Sequence, residues 1–147
     1  MNLKERMDRF YLDMVINELR QANADSCQHI SYNSMLYLDI IAYRKNCTVS
    51  AIADMLHIAR SAVTLKVKEL ERLGLVHKVQ STEDKRIFYL TVDQKVLDEY
   101  KTYDRALYGA LDELEARYAP PQLSTLCDML DTINRHFQNA DKPTERK

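Results

Sequence analysis

The stretch TVSAIADMLHIARSAVTLKVKELERLGLVHKVQSTEDKRIFYLT, residues 48–91, decides the fold. Apolar residues recur at helical spacing over Val49–Leu56 and again over Arg60–Leu73, with a tight turn between them. Gly74 stops the second helix, because glycine takes the left-handed conformation that helix ends favour. Two short strand-like runs follow, Leu75–Val79 and Ile87–Leu90, joined by the polar loop Ser81-Thr82-Glu83-Asp84-Lys85-Arg86.

Helix, turn, helix, then a hairpin with a basic tip is the order of a winged helix-turn-helix, whose second helix enters the DNA major groove. On a wheel of about 100° per residue, Val63, Val67, Leu70 and Leu73 form one stripe, which is expected to be core. Ser61, Thr64, Leu65, Lys68 and Arg72 fall on the opposite side. Small hydroxyls let a helix approach base edges, and the cations beyond them reach phosphate or guanine. A solvated amphipathic helix would carry the same cations. The preceding helix and the hairpin decide for DNA.

Thr48-Val49-Ser50, Ile52-Ala53, Arg60-Ser61-Ala62-Val63-Thr64, Val67, Leu70-Glu71, Gly74-Leu75-Val76 and Asp84-Lys85-Arg86 together resemble the MarR family of bacterial regulators. The resemblance covers about a third of the chain, with flanking helices in matching order. It implies that Arg86 enters the minor groove and that Asp84 braces it. The implied DNA-binding set is Arg60, Ser61, Ala62, Thr64, Leu65, Lys68, Lys85 and Arg86.

Four positions depart from that pattern. His57 stands where the family usually has glycine, at the end of the first helix, where positive φ is needed. Ala59 stands where a Ser or Thr usually caps the recognition helix, and alanine is a poor cap. The family commonly has Arg then Leu after its threonine, whereas here Leu65 precedes Lys66. That order puts an apolar group on the DNA side, suited to a thymine methyl, and a lysine at the core margin, from which it can snorkel to water. The second wing strand also reads a residue or two short.

A length of 147 residues suggests one domain with a real core. Two glycines and three prolines favour long regular elements, hence a mainly α chain with a small β-hairpin wing. The formal net charge is −1. Residues 57–90 carry seven Lys/Arg against four Asp/Glu, between flanks that are net acidic. A basic island fits local phosphate binding, while the rest of the surface repels DNA and sets orientation. Charges interrupt the N-terminus and no apolar run approaches membrane-spanning length, so a cytoplasmic protein with no membrane partner is expected. Cys27, Cys47 and Cys127 are odd in number and lack metal-finger spacing, in keeping with reduced thiols.

The first helix is expected over residues 2–22 and a second over Tyr32–Lys45, capped by Ser31 and ended by Asn46-Cys47. The winged core therefore spans 30–91. Beyond it, Asp93 opens a long helix to about Arg117, which Ala119-Pro120-Pro121 stops. A last helix, about Gln122–Asn139, carries Leu123, Leu126, Leu130, Ile133 and Phe137. Residues 1–24 and 93–139 hold more apolar stripe than the winged module needs for cover. The resemblance implies that they intertwine with a second copy, giving a homodimer.

Catalysis is not expected, since no nucleophile set, phosphate loop or supported carboxylate pair is present. Cys27 and His29 are two ligands where zinc wants three or four, so neither a metal nor a cofactor is assigned. Phe10, Tyr11, Met14, Tyr32 and Tyr37 are candidates for a pocket binding a small-molecule effector, or plain core. The expected function is a homodimeric regulator, a ligand-responsive repressor, on a pseudo-palindromic double-stranded DNA operator. The alternatives are a winged-helix module that binds protein instead, and a thiol- or metal-sensing regulator with the same output.

Overall fold

The computed structural model describes residues 2–23, 30–101 and 105–139. It gathers into two compact units, Met1–Tyr103 and Asp104–Lys147.

In the first unit, α1 runs Leu3–Ala22. Its start is a capping box: Asn2 accepts from the Glu5 amide, and the Glu5 carboxylate accepts from the Asn2 amide, both at 3.0 Å. Helix α2 is Tyr32–Tyr43, with Ser31 as its cap accepting from Ser34 N at 3.1 Å. It ends two residues before the expected Lys45. Helix α3 spans Val49–Leu56 and is capped by Thr48, which accepts from Ala51 N at 3.1 Å. His57 closes it in the left-handed region, φ 54° and ψ 43°, as its departure from glycine requires. Helix α4 is Arg60–Arg72, and its first residue follows Ala59, which makes no side-chain cap. Gly74 turns the chain at φ 73°.

Strands β1, Val76–Gln80, and β2, Phe88–Val92, pair antiparallel, with Val76 opposite Val92 and Gln80 opposite Phe88. Both lie a residue or more later than the sequence suggests. β2 has the full five residues, which corrects the expectation of a short second strand. The shift has a cause: Leu75 N returns to Leu70 O at 3.0 Å, so Leu75 still belongs to the helix end. Leu90 N donates to Cys47 O at 2.7 Å, a bridge that gives the hairpin a third, one-residue edge. Helix α5, Gln94–Lys101, follows Asp93, whose carboxylate accepts from Lys95 N at 2.8 Å.

The core of this unit sits where α2, α3, α4 and the hairpin meet. α4 contributes Val63, Val67 and Leu70; α3 contributes Ile52 and Ala53; the hairpin contributes Val76 and Leu90. Each of the Val, Leu and Ile side chains among them stabilises the fold by roughly 1.5–3 kcal/mol relative to exposure. Leu73, expected in the same stripe, is instead exposed at the C-cap of α4. Cys47 is buried here, and desolvation pushes its thiol above the usual range.

The second unit holds α6, Arg105–Arg117, and α7, Pro120–Asn139, which touch each other. Of the expected helix from Asp93 to Arg117, α5 and α6 are the described parts, and residues 102–104 lie outside them. Pro120 begins α7 rather than only ending what precedes, since proline at a first helical position forfeits no hydrogen bond. Gln122 Oε1 accepts from Ala119 N at 3.0 Å and helps close that start. The apolar seam of α7 is largely open to solvent: Leu126, Leu130 and Phe137 are exposed, and so are Leu107 and Leu111 on α6. Among the described residues, no helix is long and apolar enough to cross a membrane.

Candidate nucleic-acid interface

Helix α4 presents one face to the core and one to solvent. Arg60, Ser61, Ala62, Leu65 and Lys68 are exposed and Thr64 is half-buried, so the structure brings the expected helix residues onto one open side. Leu65 is 70% exposed although it is leucine. Lys66 lies on the margin, as its position between stripes suggests. Its Nζ donates to Glu69 Oε2 at 2.9 Å and to the buried Ser34 Oγ of α2 at 3.3 Å. It therefore anchors α4 inwards instead of snorkelling freely.

The wing tip is built from nested turns. Ser81 Oγ accepts from the amides of Glu83 and Asp84 at 3.2 and 3.3 Å, which turns the chain out of β1. Asp84 O then accepts from Ile87 N at 2.9 Å, so Lys85 and Arg86 are the two central residues of a β-turn. Asp84 Oδ1 accepts from Arg86 N at 3.0 Å, the local bond that suits aspartate to a turn start. Gln80 Nε2 holds the Lys85 carbonyl at 2.7 Å. Ser81 and Gln80 were not singled out from sequence, although a serine three residues before an aspartate in a loop is a readable turn signal.

The Arg86 guanidinium meets the Asp84 carboxylate in a fork, Nε to Oδ1 and Nη2 to Oδ2, each at 3.1 Å. The arginine side chain is nevertheless 91% exposed. Its position is set at the base while its charge stays available. The side-chain and then the backbone hydrogen bonds from Arg86 hold the Asp84 carboxyl below the usual carboxylate range. Of the neighbouring cations, Lys78 is engaged with Glu71 at 3.4 Å. Between the start of α3 and the wing lies a cleft of about 580 Å³, lined by Thr48, Ser50, Lys78 and Arg86 over an apolar floor of Ile87 and Phe88.

The residues offered for an effector pocket or for plain core are divided. Tyr37 is buried in the winged-helix core. Tyr32 Oη donates to Glu18 Oε2 on α1 at 2.7 Å, and that bond raises the phenol pKa. Phe10, Tyr11 and Met14 are exposed along α1. Cys27 and His29 lie outside the described residues.

Known proteins share this architecture. The chain aligns with Streptococcus pneumoniae FabT, solved in complex with DNA, at 18% identity and a TM-score of 0.70, over 95% of this chain and 97% of that one. It aligns with a putative MarR family transcriptional regulator from Listeria monocytogenes, complexed with a 26mer DNA, at 17% identity and a TM-score of 0.64, over 100% and 99%. An uncharacterized HTH-type transcriptional regulator of Bacillus subtilis, YdgJ, is 20% identical over 137 residues, 93% of this chain and 84% of its own length. The MarR family profile matches residues 30–88, which run from the start of α2 through the wing to the first residue of β2. Over that winged-helix segment the chain is similar to the MarR family.

Proposed function

We propose that the protein is a homodimeric transcriptional regulator that binds a pseudo-palindromic DNA operator and represses until a small ligand releases it. The observation that carries the DNA reading is the wing tip, where Asp84 orients Arg86 from below and leaves its guanidinium open. A bare surface arginine would sweep a wide volume. A braced one is pre-organised for a narrow groove, where negative potential is strongest. The open face of α4, small at Ser61 and Ala62 and cationic at Lys68, supplies the matching major-groove element. Two relatives of the same fold were solved with DNA.

The dimer is supported by apolar side chains that their own units leave uncovered, Leu3 and Phe10 on α1 and Leu130 and Phe137 on α7. A second copy supplying the same helices would bury them. An effector lodged against Phe10, Tyr11, Met14 and Tyr32 would act on α1 and α2, and through Lys66 and Ser34 on the recognition helix. The test is selection of duplex fragments from random DNA, followed by titration at several salt concentrations. A two-fold-related site with affinity falling steeply with salt is expected. Absence of any DNA affinity would contradict the reading and leave a protein-binding module.

A further inference from the structure

We infer that Leu65 reads the C5-methyl group of a pyrimidine, thymine in ordinary DNA, at one position of each half-site. The inference rests on the DNA-binding reading and adds a base preference to it. Leu65 is the one exposed large apolar side chain of α4, and it stands at 70% exposure. Its neighbours on the same side are polar: Ser61 one turn earlier and Lys68 one turn later, both exposed. A single apolar group framed by a hydroxyl and a cation is not the contiguous patch that a protein partner would use.

Position and chemistry then narrow the target. Leucine has neither donor nor acceptor, so it complements no hydrogen-bonding group on a base edge. The one apolar group on a major-groove edge is the thymine methyl. Ser61 and Ala62, both small and exposed, allow the helix to come close enough for that contact. Lys66, next in sequence, does not compete for the position. Its ammonium is held 2.9 Å from Glu69 and 3.3 Å from Ser34, towards α2. The order Leu65-Lys66 therefore exchanges a possible guanine-reading cation for a methyl-reading side chain.

The experiment starts from the duplex that the wild-type protein selects from random DNA. Each thymine is replaced in turn by deoxyuridine, which removes only the methyl group, and binding is titrated for wild type and Leu65→Ala. Wild type should lose roughly fourfold at one thymine per half-site, the contribution of one buried methyl. Leu65→Ala should bind the original duplex more weakly and be indifferent to that replacement. Its fold is not at risk, because the side chain is exposed. Leu65→Arg should instead select guanine at or beside that position. A wild type that binds its site yet ignores every replacement, or a Leu65→Ala variant that keeps the sensitivity, overturns the contact and leaves the DNA reading standing. A wild type that selects no DNA overturns both.

Discussion

Lys66 Nζ on α4 donates to Ser34 Oγ on α2 at 3.3 Å, and the same hydroxyl accepts from Ser31 Oγ at 2.9 Å. Ser34 is buried, so the recognition helix is tied to the capped start of α2 through a polar group removed from water. Replacing Lys66 by methionine keeps most of the packed stem and deletes the donor. Lys66→Met should lower stability by about 0.5–1.5 kcal/mol, the net worth of such a bond. The pair with Glu69 adds little, since that carboxylate is well exposed. Urea denaturation measures the change, and an unshifted midpoint would show that the link to Ser34 contributes nothing.

Ala59 occupies an N-cap with the extended backbone of one, φ −66° and ψ 141°, and offers no acceptor. Serine fits the same dihedrals and can accept from the open amides of the first turn. Ala59→Ser should therefore stabilise by roughly 0.5–2 kcal/mol, read as a raised denaturation midpoint. A midpoint at or below wild type would mean that these amides are already satisfied by water.

The winged core was legible because local rules and tertiary packing agree there. Thr48 caps α3 just before its expected start at Val49, and His57 adopts the positive φ that its place at the helix end demands. The pairing of Asp84 with Arg86 was implied by the family resemblance, and the two hydrogen-bond within one turn of the loop. What escaped was set by long-range contact. Tyr37 suited a pocket, with plain core as the favoured alternative, and packing put it in the core. Leu73 continued the wheel of α4 but is the exposed C-cap residue. Leu90 also bonds to Cys47, a partner more than forty residues away that periodicity does not reveal. The Lys66–Ser34 bond crosses helices in the same way.

The wing brace has a defined pH dependence. Asp84 is held below the ordinary carboxylate range by Arg86, so its folded pKa is depressed. The sign follows: the brace contributes fully above the ordinary aspartate range and is lost only as pH falls through the depressed value. Carboxyl-carbon NMR should show an Asp84 midpoint below that of an unpaired aspartate, and Arg86→Ala should return it to the ordinary range. An ordinary midpoint in the wild type would contradict the brace.

Phe137 is 74% exposed near the end of α7, and Leu126 and Leu130 are open on the same helix. A second copy covering this face predicts the mass of two chains by light scattering at micromolar concentration. Phe137→Asp should weaken the dimer without unfolding the chain, because the side chain is mostly open to solvent. A wild-type protein that keeps the mass of one chain at high concentration would contradict the dimer.

The central claim is that the wing reads DNA, and Arg86 and Lys85 separate its two modes. Both are exposed at the centre of one turn, but only Arg86 is aimed by Asp84. Arg86→Ala should weaken operator binding by about 1–3 kcal/mol and relax preference for A·T pairs at the outer edges of the site. Lys85→Ala should weaken all sequences alike and lower the salt slope by about one unit. Asp84→Ala should resemble a milder Arg86→Ala, since it removes the brace and leaves the charge. The deciding measurement is the titration of wild type and Arg86→Ala against operator and scrambled DNA at several salt concentrations. A loss larger on operator than on scrambled DNA is predicted, and an Arg86→Ala variant that binds operator as tightly as wild type would contradict the account.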